Sequence, residues 1–235
     1  MTQSLPLEEE KEDKPHYHGH RQRLRERFLE HGAEALQDYE LLELLLFAAL
    51  PRQDVKPLAK DLLNRFKTLK GVLQAEDKAL RDAGLSDSPV ALLRAIAAAH
   101  LRIGRAEIID QPVLSSWQKI LDYCQAAMAH ETREQLRILF LNRKNRLIAD
   151  EVQQRGTIDH TPVYVREVIR RALELGAGAI ILVHNHPSGD PTPSKNDIAM
   201  TREVALAAQT VGLTLHDHLI IGGGRHVSFK EQGLI

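Results

Sequence analysis

The chain has 235 residues, of which 43% are hydrophobic and 27% are charged, and its formal net charge is −1. This length can bury one sizeable core, or one medium and one small core. The balanced charge gives no overall attraction to nucleic acid or to a membrane surface. A single cysteine, Cys124, excludes an intrachain disulfide and a cysteine-based zinc cluster. One lone cysteine is typical of the reducing cytosol, so we expect a cytoplasmic protein.

The N-terminal part of the chain is polar. We expect residues 1–20 to form a disordered tail that is acidic and rich in histidine. This tail has no apolar stretch of the kind that a signal peptide needs, and no run in the sequence approaches the length of a membrane span, so we expect no membrane contact. A histidine- and arginine-rich stretch, His16 to Arg27, follows its acidic start. Its basic side chains can contact phosphates, but a solvent-exposed helix face is the favoured interpretation.

The next part of the chain, residues 21–108, has the spacing of helices. A dense apolar block, Leu41–Leu46, ends at Pro51, and leucines continue at helical spacing after it. We predict a small all-α domain of four to six helices, with a turn between helices over residues 66–73.

The pattern changes after a predicted linker at residues 108–113. Ser115 is expected to cap a helix that runs to about His130. Short apolar runs then alternate with one helix of clear amphipathic spacing, which starts at Val165 and ends at Gly176. The predicted strands are Leu136–Leu141, Leu147–Val152, Ile180–Val183 and Leu213–Ile221. Residues 113–235 are therefore predicted to form an α/β domain, with a mixed sheet flanked by helices.

A metal-ligand pattern begins where the strand Ile180–Val183 ends. Residues two apart on a strand point to the same side, so His184 and His186 would present two imidazoles together. A loop broken by prolines and a glycine follows, and Asp197 can supply a third ligand. Zinc favours histidine nitrogen and carboxylate oxygen, and a catalytic zinc site has three protein ligands and one open position. The pattern predicts one zinc ion per chain.

Two neighbouring features have a second interpretation. Ser194 and Asp197 also fit a capping box, in which a helix N-terminus is closed by reciprocal hydrogen bonds. Capping and metal binding can coexist, because a carboxylate has two oxygens. His216 and His218 form a second histidine pair, predicted to share one strand face. No ligand loop follows that pair, so we interpret both as groups that support the metal site or the fold.

The spacing His-x-His, seven residues, Ser-x-x-Asp resembles the signature of the JAMM metalloproteases, also called MPN+ domains. The chain matches it at His184, His186, Ser194 and Asp197. The longer string from His184 to Ser194, with residues 156–168 before it and 217–224 after it, resembles the RadC family in particular. The resemblance covers about residues 111–235. It implies a JAB/MPN domain with a cytidine-deaminase-like sheet.

The resemblance also implies a mechanism and a substrate class. His184, His186 and Asp197 would hold zinc, and Ser194 would stabilise the oxyanion of a tetrahedral intermediate. A glutamate would take the proton of the attacking water and pass it to the leaving amine. The substrate would be a peptide or isopeptide bond in a protein, and the family name suggests an association with DNA repair.

The identity of that glutamate stays open on spacing alone, with Glu131, Glu134, Glu151 and Glu167 as candidates. In JAMM proteins it lies at the entry to the first strand of the domain. Glu134 stands just before Leu136–Leu141, so we choose Glu134, with Glu151 second.

The helical region resembles the helix-hairpin-helix part found ahead of the RadC zinc domain. That motif turns on Gly-apolar-Gly, whose backbone amides can bind a phosphate. Here the turn is Gly84-Leu85-Ser86, with the carboxylate of Asp87 next to it. The missing glycine and the nearby charge weaken the inference of DNA binding and favour a packing or partner-docking role.

Three functions compete. A zinc metallopeptidase is the leading hypothesis. The first alternative is a non-catalytic MPN-type binding module, against which the retention of all three ligands argues. The second is a zinc enzyme that acts on nucleic acid. Two-metal phosphoesterases usually need more carboxylates than this motif offers, and the H-x-E and P-C-x-x-C elements of the zinc deaminases are absent.

Overall fold

The computed structural model describes residues 17–129, 131–155 and 164–235. The chain divides into two compact units between Ala97 and Ala98, within one long helix. Across these described ranges, no helix combines the length and the apolar character that crossing a membrane requires. The predicted tail, apart from its last four residues, lies outside the described part of the chain, as does the string 156–163.

The first unit is all-helical, as predicted. Its helices are α1 (Tyr17–His31), α2 (Asp38–Ala49), α3 (Lys56–Phe66), α4 (Leu69–Gln74), α5 (Asp77–Asp82) and the start of α6 (Asp87–Ile108). Leucines of α2, α3, α5 and α6 form its buried core. The turn predicted over residues 66–73 is wrong, because this stretch contains α4. Thr68 begins that helix by accepting a hydrogen bond from the Gly71 amide at 2.9 Å.

The arginine-rich stretch in α1 is only partly the solvent-exposed face that the sequence favoured. Arg21 is buried, and its guanidinium lies 4.5 Å from the ring centre of Phe47. The same group donates to the carbonyls of Leu50 and Gln53 at 2.7 and 2.5 Å. Arg21 therefore has a structural role, because it donates hydrogen bonds to main-chain carbonyls beyond the end of α2. Arg23 and Arg25, in contrast, are exposed.

The second unit is the predicted mixed sheet with flanking helices. After α6 it contains α7 (Trp117–Met128), β1 (Gln135–Leu141), β2 (Leu147–Arg155), α8 (Val165–Glu174), β3 (Ala179–Asn185), α9 (Lys195–Thr210), β4 (Thr214–Gly222) and β5 (Arg225–Ser228). The strand order is β2-β1-β3-β4-β5. Among the named strands of this sheet, β3 and β4 pair in parallel and the other neighbours are antiparallel.

Both faces of the central strands are buried, which explains their nearly continuous apolar sequences. Ile180 and Leu182 of β3 pack with residues of α8 and α9, and we call this side the α8/α9 face. Ile181 and Val183 pack with residues of α7, on the α7 face. Alternation along the strand then places His184 on the α8/α9 face.

One detail around α7 differs from the sequence prediction. Its N-cap is Ser116 rather than Ser115, because a short 3-10 turn over Val113–Ser115 precedes the helix. The predicted linker at residues 108–113 is ordered against the turn between β1 and β2. The Asp110 amide donates to Leu147 O, and the Val113 amide donates to Asn145 O, both at 2.8 Å.

Candidate metal centre

Three side chains converge where β3 ends and α9 begins. His184 is near the end of β3, His186 follows the strand, and Asp197 lies in the first turn of α9. The Nε2 atoms of the two histidines are 2.9 Å apart. Asp197 Oδ1 is 3.4 Å from His184 Nε2, and Asp197 Oδ2 is 3.5 Å from His186 Nε2. Within the described residues this is a group that can hold a metal ion, with one ligand atom from each residue and all three within 4.8 Å.

The two histidines have opposite proton affinities. His184 is 6% exposed, and its burial lowers its pKa to about 4. It is therefore neutral at pH 7, as a metal ligand must be. Hydrogen bonding to Asp197 raises the pKa of His186 above its ordinary value, and the negative charge of Glu134 adds to this effect. A proton held by His186 would have to leave before a cation binds.

Asp197 both caps the helix and faces the histidines, so the two sequence interpretations coexist. Its Oδ2 accepts from the Ser194 amide at 2.7 Å, and its own amide donates to Ser194 Oγ at 3.1 Å. Burial raises the pKa of Asp197. Its hydrogen bonds with His186 and Ser194 outweigh that effect and hold the pKa well below its usual range. Asp197 therefore faces the histidines as a carboxylate.

A chain of hydrogen bonds behind the cluster fixes the tautomer of His184. The Thr201 hydroxyl donates to the Asp197 carbonyl at 2.5 Å. Its oxygen must then accept from His218 Nδ1, which is 2.6 Å away. Burial keeps the pKa of His218 well below its ordinary value, so this ring is neutral and its Nε2 is an acceptor. That acceptor lies 2.7 Å from His184 Nδ1, which must therefore carry the hydrogen.

Both histidines, when neutral, therefore present an unprotonated Nε2 atom to Asp197. His186 Nδ1 donates to the Asp190 carbonyl at 2.7 Å, so its Nε2 is also unprotonated whenever the ring is neutral. Two lone pairs at 2.9 Å, beside a carboxylate, need a positive charge between them. A proton on His186 can supply it, and so can a divalent cation. The side chains present therefore fit a metal ion.

Thr201→Val provides a test of this hydrogen-bond chain. The substitution keeps the shape of the side chain and leaves the buried His218 Nδ1 hydrogen without an acceptor. We expect the affinity for Zn²⁺ to fall by about 10-fold to 100-fold, the usual effect of losing a group that orients a ligand. Competition with a chromophoric chelator measures it. Thr210→Val, on the same helix, removes a hydroxyl that donates to Leu206 O. Equal Zn²⁺ affinities in Thr201→Val and Thr210→Val would contradict the role given to this chain of hydrogen bonds.

Glycines at the end of β4 support the loop after His186. A Cβ atom on Gly222 would lie 3.0 Å from Gly189 and Pro191 backbone atoms, and one on Gly223 would lie 2.7 Å from Gly189 O. The His186 amide also donates to Ile221 O at 2.8 Å. The loop can thus lie directly on the strand end, which brings the Asp190 carbonyl to His186 Nδ1. This accounts for the glycines at positions 222 and 223.

The glutamate candidates differ in their surroundings. Glu134 is half-buried just before β1, near enough to His186 to influence its pKa. Glu151 instead binds Arg171 through both oxygens, at 2.8 and 2.6 Å, and hydrogen bonding to Arg171 lowers its pKa. Glu167 pairs with Arg170 at 3.0 Å, and Glu131 is exposed. Glu134 is the candidate whose charge acts on the cluster.

The second histidine pair does not share one strand face, contrary to the prediction. A β-bulge shifts the register, so Leu215 pairs with Ile180 and Asp217 pairs with Ile181. His216 is the extra residue, and its Nε2 lies 2.8 Å from Asn145 Oδ1 in the β1–β2 turn. Of this pair, His218 is the one that contacts His184.

Sequence reasoning missed two buried polar residues close to the centre. Thr201 is four residues after Asp197 and so lies on the same side of α9. Asn185 is a buried amide between the two histidines, and it is the last residue of β3, whose residues before His184 are all apolar. The sequence signal for Asn185 is an amide side chain in a strand that is otherwise predicted to be buried. A buried amide needs hydrogen-bond partners, so such a residue indicates a specific contact.

Comparisons with known proteins cover most of the chain. The model of a family described as "RadC-like JAB domain" matches residues 114–234, and one described as "UPF0758 N-terminal" matches residues 18–88. A protein from Rhodobacter capsulatus described as "UPF0758 protein" is 60% identical over 213 residues, which are 90% of this chain and 100% of that protein. The first match includes the whole metal cluster, together with Thr201 and His218.

Proposed function

The chain belongs to the RadC-like JAB-domain family, and from this premise we propose that it is a zinc-dependent hydrolase of the JAMM metallopeptidase type. The proposed substrate is a peptide or isopeptide bond in a protein. One observation carries the proposal: two histidine nitrogens with fixed tautomers and one ionised carboxylate point at a common position. The single cysteine of the chain supports the cytoplasm as the proposed location.

The donor set favours zinc over other common metals. Two imidazole nitrogens and one carboxylate oxygen are typical of catalytic zinc sites, whereas magnesium and calcium prefer oxygen ligands. Three protein ligands leave one position open. When bound there, zinc would lower the pKa of a water molecule to about 7 and would polarise the scissile carbonyl.

Two other side chains supply proton transfer and charge stabilisation in the proposed reaction. Glu134 accepts the proton of the attacking water and then gives it to the leaving amine, as a carboxylate beside the reacting atoms can do. Ser194 Oγ already accepts from the Asp197 amide. Its hydroxyl hydrogen can therefore be donated to the oxyanion that forms as the carbonyl is attacked.

The metal assignment is tested by measuring bound zinc in the purified protein and in His186→Ala. We expect about one zinc per chain in the wild type and almost none in the variant, because removing one of three ligands leaves an incomplete site. His100→Ala, which replaces an exposed histidine on α6, is the matched control and should keep its zinc. Equal zinc in the wild type and His186→Ala would overturn the ligand set.

The open position is tested with cobalt and a small ligand. Replacing zinc by Co²⁺ makes the site visible by its absorption spectrum, and acetohydroxamate binds metals that have free coordination positions. We expect acetohydroxamate to change the spectrum of the Co²⁺ protein in a saturable way. A spectrum that does not respond would indicate a closed, structural site and would favour the non-catalytic interpretation.

A further inference from the structure

Asn185 lies between the two histidines but belongs to a different part of the site. We propose that it is a positioning residue for Glu134: its side-chain amide fixes the backbone on both sides of that glutamate. This inference rests on the proposed function, in which Glu134 is the general base. It assigns a role in catalysis to a side chain on the face of the sheet opposite to His184.

The amide of Asn185 continues the sheet where main-chain pairing between β1 and β3 stops. The last pair in that ladder is Leu136 with His184. Beyond it, Asn185 Oδ1 accepts from the Gln135 amide at 2.9 Å. Asn185 Nδ2 donates to the carbonyls of Arg133 and Glu131, at 3.1 and 3.3 Å. One side chain thus replaces a peptide group as the partner of the incoming segment.

These contacts bracket Glu134 in the sequence. The Arg133 carbonyl belongs to the peptide group before Glu134, and the Gln135 amide belongs to the peptide group after it. Fixing both restrains the main chain on either side of Glu134 and so restrains where its side chain starts. The hydrogen-bond roles also fix the orientation of the Asn185 amide, because a main-chain N–H only donates and a carbonyl only accepts.

The alternation of the sheet directs the two side chains to opposite faces. Asn185 follows Ile181 and Val183 on the α7 face, where it is 1% exposed. Glu134 is two residues before Leu136, which packs on the α8/α9 face with His184. Continuing the antiparallel register by two residues sets Glu134 opposite His186. Asn185 therefore acts on the metal centre through the segment that carries Glu134.

No other residue of similar size supplies the same contacts. The site needs one acceptor and two donors within one short side chain, and an asparagine amide provides them. Alanine would leave the buried Gln135 amide without its acceptor and would remove the donor to the Glu131 and Arg133 carbonyls. Aspartate would keep an acceptor but would set a carboxylate against two carbonyl oxygens. In either variant we expect the segment 131–135 to move and to take Glu134 with it.

The experiment measures acetohydroxamate binding to Co²⁺-loaded protein. Binding through both oxygens requires the hydroxamate O–H to lose its proton, and the Glu134 carboxylate is the proposed acceptor. We expect Glu134→Gln to weaken binding by about 10-fold, as for loss of one hydrogen bond to a charged group. Asn185→Ala and Asn185→Asp should weaken it by a similar factor, with Co²⁺ content unchanged. The double variant Glu134→Gln/Asn185→Ala should bind no more weakly than Glu134→Gln.

Several outcomes separate the inference from the proposed function. Asn142→Ala is the matched control, because Asn142 Oδ1 also accepts main-chain hydrogen bonds, but in the β1–β2 turn. If Glu134→Gln weakens binding and the Asn185 variants match Asn142→Ala, the positioning role is wrong and the hydrolase proposal stands. Additive losses of hydroxamate affinity in Glu134→Gln/Asn185→Ala would also refute the positioning role of Asn185. If Glu134→Gln itself has no effect, the assignment of the general base fails.

Discussion

We expect Glu134→Gln to lower the rate of peptide-bond cleavage by about 100-fold to 10,000-fold, the usual contribution of a positioned general base. Glutamine has nearly the same shape but cannot accept a proton, so the attacking water would lose the group that removes its proton. Glu134 is not among the three side chains of the metal cluster. Zinc content should therefore stay at the wild-type level, which separates lost proton transfer from a lost site.

The measurement is the cleavage of a mixed-sequence peptide library by zinc-loaded protein, followed by mass spectrometry. Glu151→Gln is the matched control, because Glu151 was the second choice from the sequence and instead binds Arg171. We expect this variant to retain most of its activity. Loss of activity in Glu151→Gln with full activity in Glu134→Gln would reverse the assignment.

The sequence predicted that His184, His186 and Asp197 would lie together, because each of them is tied to a local structure that the sequence encodes. An apolar β-branched run indicates β3, and two-residue spacing then brings His184 and His186 together. The serine and aspartate of a capping box mark the start of α9 and thereby the position of Asp197. The distances in the cluster are consistent with both patterns.

The features that escaped prediction depend on contacts between segments distant in sequence. The β-bulge in β4 directs His216 away from the face that carries His218, and no periodicity in that strand predicts the bulge. The tautomer of His184 depends on Thr201, which reaches His218 only because α9 packs on β4. The role of Asn185 likewise depends on the segment before β1, about fifty residues earlier in the chain. Spacing along one element cannot encode such partners.

Two variants of the capping box should have different consequences, because Asp197 is the proposed third metal ligand whereas Ser194 is the proposed donor to the oxyanion. Asp197→Asn keeps an oxygen that can accept from the Ser194 amide, but it removes the negative charge 3.4 Å from His184 Nε2. We expect Zn²⁺ affinity to fall by more than about 100-fold, because even groups that only orient a ligand are worth about 10-fold to 100-fold. The start of α9 should remain formed.

Ser194→Ala should show the converse pattern. The Asp197 amide loses its side-chain acceptor, so the free energy of unfolding of the metal-free protein should fall by about 1 kcal/mol. Zinc affinity should change little, and peptide cleavage should slow by about 100-fold to 1,000-fold if Ser194 donates to the oxyanion. Chelator competition, denaturant unfolding with EDTA and the library assay measure the three quantities. If Asp197→Asn binds zinc with wild-type affinity, Asp197 only caps α9, and the third zinc ligand must be another residue.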